Sequence, residues 1–145
     1  MSDALNGNPP TSYYVIAAVF LVWNLIGLMF YYMQVTMTPE VMAASFSAEQ
    51  INFMISEPTW ATAAYATAVN AGLVATLLLF FRKSLARPLF MLSFAAVLVQ
   101  DFNAFILSDG VAVWGISGLY LPAVVIVICV WEIWYSSSVA NRYYR

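Results

Sequence analysis

The sequence predicts an all-α membrane protein, a bundle of four transmembrane helices with a short interfacial helix between the first and the second. Composition, run length and charge placement each point there. The 145-residue chain is 63% hydrophobic and only 8% charged, too little polar surface for a soluble globule. Its apolar residues gather in four runs, residues 14–34, 60–81, 88–108 and 119–135, in one membrane domain. Each run is near the ~20 residues that carry a helix across a ~30 Å hydrocarbon core. All 5 basic residues follow the second run (Arg82, Lys83, Arg87) or the fourth (Arg142, Arg145), and with four crossings those are the same side. The positive-inside rule makes that side the cytoplasm, with both termini in it, as expected for a multi-pass protein of the bacterial inner membrane.

The elements follow in order. Asn8-Pro9-Pro10 ends a polar tail, and the first run is too long for the apolar stretch of a signal peptide and has no basic residue ahead of it. The first helix is therefore expected to be retained; its loss would leave three spans. Beyond Gln34, Thr38-Pro39-Glu40 reads as N-cap, N1 proline and acidic first turn, and Ser47 with Gln50 as a capping box. Residues 38–58 are expected to lie as one or two interfacial helices over the outer mouth of the bundle, stopped by Glu57-Pro58. The short turn at residues 82–87 makes the second and third helices antiparallel neighbours. Trp114, between glycines in the second outer loop, suits a headgroup anchor, and Trp60, Tyr120, Trp131, Trp134 and Tyr135 are expected in interfacial belts.

Composition also excludes chemistry. With no His and a single cysteine, Cys129, the chain cannot build an internal disulfide, a His-based zinc or haem site, or a Ser-His-Asp triad. No nucleophile–base pair can be assembled, so an enzyme is not expected. The formal charge of -2 and the lack of a basic stripe give no nucleic-acid surface. No cofactor is legible.

Each helix carries one stripe of small or polar residues at three- and four-residue spacing, the face expected to meet protein. It is Ala17, Phe20, Asn24, Gly27, Tyr31 and Gln34 in the first helix, and Ala61, Ala64, Ala68, Ala71 and Ala75 in the second. The third offers Ser93, Ala96, Gln100 and Asn103, the fourth Gly118, Pro122, Val125, Cys129 and Glu132. Counting 1.5 Å per residue puts Asn24, Asn70 and Gln100 roughly 15–18 Å from the inner edge, near the midplane. With Asp101 and Asn103 they form a predicted midplane polar cluster, either glue between helices or the wall of a polar path. Asp101 is the sharper member, because a carboxylate at this depth costs at least ~2.5 kcal/mol and has no basic partner on the helices. Glu132 reads as a solvated carboxylate near the inner interface.

The segments Trp23-Asn24-Leu25-Ile26-Gly27, Met33-Gln34-Val35-Thr36-Met37, Trp60-Ala61-Thr62-Ala63-Ala64-Tyr65, the run from Leu77 into the basic turn, Val97-Leu98-Val99-Gln100 and Phe105-Ile106-Leu107-Ser108-Asp109 together resemble a group of short bacterial four-span proteins. The likeness covers most of residues 20–110. Such proteins are often labelled sugar transporters or uncharacterised membrane proteins, which implies a four-span fold and brings no sugar-contacting motif.

Two function classes remain. One is an oligomeric permeation protein for a small solute or ion. The other is a non-catalytic accessory or assembly subunit whose small-residue faces dock a larger membrane complex. Partners are accordingly the lipid bilayer and either further copies or a larger complex. A midplane cluster around a cavity favours permeation; an alanine stripe turned outward, with no cavity, favours docking.

Overall fold

The computed structural model describes residues 7–145, so the tail reading of residues 1–6 lies outside the described residues. Four segments are long and apolar enough to cross a membrane. They are α1 (Thr11–Thr36), α4 (Thr59–Phe80), α5 (Ala86–Asp101) with its continuation in a π-helical turn (Phe102–Leu107), and α7 (Tyr120–Tyr143) with the 3-10 turn before it (Ile116–Leu119). Three short helices complete the chain: α2 (Pro39–Ser45), α3 (Ala48–Ile55) and α6 (Gly110–Trp114). There is no strand among the described residues.

The spanning helices form a ring. α1 packs on α4, α4 on α5 and α5 on α7, while α7 and α1 approach less closely and meet through long side chains, leaving a seam. The α4–α5 hairpin is the most extensive contact, as the short turn predicts. The alanine stripe explains the close approach. Ala61, Ala68, Ala71 and Ala75 are buried and Ala64 is half-buried, so the stripe is used inside the chain, where side chains this small let backbones draw near. Ala68→Leu should therefore cost about 1–3 kcal/mol by overpacking, while Ala63→Leu, on the exposed side, should be near neutral. Denaturant titration of the two variants in mild detergent checks this.

The bundle has two unlike ends. At the basic end an aromatic core closes it: Tyr13, Phe20, Leu79 and Phe90 are buried, with Tyr135 and Tyr143 packed against them. Phe20 meets Trp131 edge-on at 4.8 Å between ring centroids, and the Tyr13 hydroxyl donates to the Leu79 carbonyl at 2.5 Å. Tyr135 is half-buried against this core, whereas Trp60, Tyr120, Trp131 and Trp134 are exposed on the bundle surface, Trp131 with one face of contact on Phe20. Below this core, α4 ends in a Schellman motif. The Arg82 and Lys83 N–H groups donate to the Leu79 and Leu78 carbonyls, and Arg82 takes the left-handed conformation (φ 61) usually left to glycine. Its guanidinium donates to the Tyr143 and Gly7 carbonyls, and its own carbonyl accepts from Arg145 N–H at 2.7 Å. Both ends of the described chain therefore meet the α4–α5 turn.

The opposite end carries a lid. Thr38 caps α2, and Ser47 with Gln50 closes a capping box on α3. The backbone N–H of Glu40 and the Thr38 hydroxyl hold the Glu40 carboxyl below the usual glutamate range. Trp114 lies edge-on to both Phe46 and Phe53, so it pins the lid to the second loop. Glu57 joins lid to bundle by accepting from Thr62 at 3.0 Å and from Gln34 at 3.4 Å.

Two boundaries differ from expectation. The fourth helix runs to Tyr143 instead of ending at Tyr135, because Ser136 and Val139 continue a buried stripe past the apolar run. The third helix does not finish as regular α-helix: directly after Asp101 it widens into the π-helical turn, closed by Ser108 N–H donating to the Asn103 carbonyl five residues back.

Candidate functional site

Between the four spanning helices, above the aromatic core, lies a cavity of about 260 Å³. Its floor is polar. Asn24, buried on α1, sends its Nδ2 to the Phe20 carbonyl (2.9 Å), to Thr76 Oγ1 on α4 (3.2 Å) and to Glu132 Oε1 on α7 (2.6 Å). Thr76 in turn donates to the Gly72 carbonyl, and Ser93 of α5 donates to the Ala68 carbonyl of α4. These bonds tie α1 to α4 and α7, and α5 to α4. They satisfy groups that would otherwise be costly to leave bare in hydrocarbon.

Gly72 makes the floor possible. A Cβ there would run into Asn24 Oδ1 and lie 3.2 Å from Ser93 Oγ. The amide of Asn24 fills the space a side chain at 72 would need.

Above the floor, Gly27, Ala68, Val69, Val97 and Val125 make an apolar waist. Trp23, Phe30 and Tyr65 add aromatic surface, and Gln34, Gln100 and Asp101 line the cavity toward the lid. From Asn24 to Gln34 on α1, and from Leu121 to Glu132 on α7, the lining extends roughly 15 Å along the bundle at 1.5 Å per residue. Two carboxylates line it, and no Lys or Arg does. Glu132 is 2% exposed and its one side-chain partner is Asn24. Asp101 Oδ2 is buried without a hydrogen-bond partner among the described residues. No group of three potential metal ligands converges among those residues.

Of the five residues expected in a midplane cluster, the structure brings Asn24, Gln100 and Asp101 to this cavity. Asn103 is buried but does not line it, because the π-helical turn shifts its direction on the helix. Asn70 lies elsewhere. It is exposed, donates to its own helix at the Ala66 carbonyl, and faces a separate shallow groove with Leu28 and Tyr32 of α1. Its depth was readable from the sequence; its direction around α4 was not.

Glu132, expected near the interface, is instead buried at the floor. The apolar run ends at Tyr135, whereas α7 continues to Tyr143 and sets Glu132 roughly 16 Å up from its end. Its place on the small-residue stripe of the fourth helix was the signal for burial. Ser93 stands on the stripe of the third helix in the same way, whereas Thr76 and Gly72 carry no comparable mark in the sequence. Compared with known protein families, curated proteins and solved structures, the chain matches none.

Proposed function

We propose that this chain is a small-solute or ion permeation protein of the bacterial inner membrane, acting as an oligomer, with both termini in the cytoplasm. The observation that carries this reading is the cavity among all four spanning helices, with a carboxylate at its floor and another near its lid end. A docking subunit has no need of such a space. The alanine stripe that could have served docking is already used within the bundle.

Orientation is supported by the five basic residues, which all follow spanning helices at the end where Gly7, Arg82 and Arg145 meet. In a Cys129→Ala background, cysteines at Ser84 and Ser138 should resist an impermeant thiol reagent applied from outside, and one at Ser47 should react. All three sites are exposed. Labelling at Ser84 from outside would reverse the topology.

Transport is tested in proteoliposomes with potassium, sodium, protons and a small sugar. The wild type should pass at least one of them, and Asp101→Asn, which keeps the shape and removes the charge, should lose most ion-dependent flux. Absence of flux for every solute would put the accessory-subunit reading in front.

A further inference from the structure

We propose that the cavity binds a lipophilic primary amine, taken in as its ammonium ion from the lipid between α1 and α7 and held by the carboxylate of Asp101. This inference rests on the reading of the cavity as a solute site and names the class of solute.

The charge selects a cation. The lining holds two carboxylic acids and no Lys or Arg, and the five basic residues all lie at the far end of the bundle. The two acids are not equivalent. Glu132 already accepts from Asn24 at 2.6 Å, whereas Asp101 Oδ2 is buried with no partner among the described residues. A donor arriving at Asp101 gains a charge-assisted hydrogen bond without displacing an existing one.

The space selects an organic cation. A volume of about 260 Å³ would hold on the order of eight or nine waters, far more than a bare monatomic ion occupies. Most of the wall is apolar and gives hydrating water little to bond to. Trp23, Phe30 and Tyr65 instead offer aromatic rings, whose faces attract ammonium groups and which pack against hydrocarbon. An amine with a short aromatic or aliphatic body meets both requirements.

The route follows from the seam. Ile26 (40% exposed), Phe30 (49%) and Leu121 (60%) line the cavity and also lie on the bundle surface. The cavity therefore opens sideways between the lid-side halves of α1 and α7. Lower down, the same helices are joined by Phe20 against Trp131 and by Asn24 to Glu132. A ligand using this opening comes through hydrocarbon, which demands an apolar body.

The test is binding to the full chain in lipid nanodiscs, by equilibrium dialysis against empty discs, with 2-phenylethylamine and its neutral isostere 2-phenylethanol. The amine should bind saturably and the alcohol should not, a comparison that needs no variant to fold. Asp101→Asn should weaken amine binding by about tenfold or more, as expected for removing one partner of a buried charge pair. Asn70→Ala, off the cavity, should leave it unchanged. Equal binding of amine and alcohol, unaltered binding by Asp101→Asn, or no saturable binding of the amine would each overturn the inference. Ion flux by a wild type that binds no amine would overturn this inference and leave the permeation reading standing. Amine binding without flux of any solute, the amine included, would do the reverse.

Discussion

Gly72→Ala is expected to break the polar tie between the first and last spanning helices. The added methyl would occupy the space of Asn24 Oδ1, with Ser93 Oγ 3.2 Å away on the other side. Asn24 cannot yield easily, because its Nδ2 is shared among Phe20, Thr76 and Glu132. The side chain should swing off Glu132, and the bundle should lose about 2–4 kcal/mol, an overpacked contact plus a charge-assisted hydrogen bond. Gly27→Ala is the control: a Cβ there meets only Val69 Cγ1, at an ordinary 3.7 Å. Denaturant titration in mild detergent should separate the two by most of that difference. Equal midpoints would mean that the Asn24 amide is free to relocate.

Asn24→Leu is expected to be nearly as damaging, by about 2–3 kcal/mol, because it leaves the buried Glu132 carboxyl with no side-chain partner. Glu132→Gln should be far milder: the amide oxygen can still accept from Asn24, and the cost of holding a carboxylate in hydrocarbon disappears. The decisive comparison is the double variant. If the damage of Asn24→Leu comes from the stranded carboxyl, adding Glu132→Gln should recover part of the stability even though both original partners are gone. A double variant less stable than Asn24→Leu alone would assign the loss to packing.

These two residues show how unevenly the sequence can be read. The number of spans, their order and the caps of the lid follow from run length and from local hydrogen-bonding chemistry, and Thr38, Ser47 and Gln50 behave as their identities require. The buried stripes are legible for the same reason. Small and polar residues at helical spacing have little to gain from lipid, and Ala17, Asn24, Ala68, Ser93 and Cys129 are all buried. Direction around a helix is harder. Asn70 sits at the depth of the cluster, yet faces away from it and bonds its own backbone, an option open to any Asn on a helix. Glu132 shows the cost of a misplaced helix end, since eight further residues of α7 turn an interfacial carboxylate into a buried one. The π-helical turn after Asp101 has no signature in composition or period. Gly72 could not have been singled out, because what it accommodates belongs to another helix.

The meeting of Gly7, Tyr143 and Arg145 at Arg82 bears on how the polypeptide could be rewired. Gly7 and Tyr143 both give their carbonyls to one guanidinium, and Arg145 N–H returns a bond to the carbonyl of the same residue. A short linker from Arg145 to Gly7 could therefore stay at one end of the bundle, and the backbone could be reopened in the lid between α2 and α3, where no side chain is buried. Such a permuted chain would begin with α3 and the second spanning helix and place the last and first spans in direct succession. The seam between them would become a covalent hairpin instead of a contact between two distant parts of the sequence. Loop closure would then work for the Asn24–Glu132 contact rather than against it.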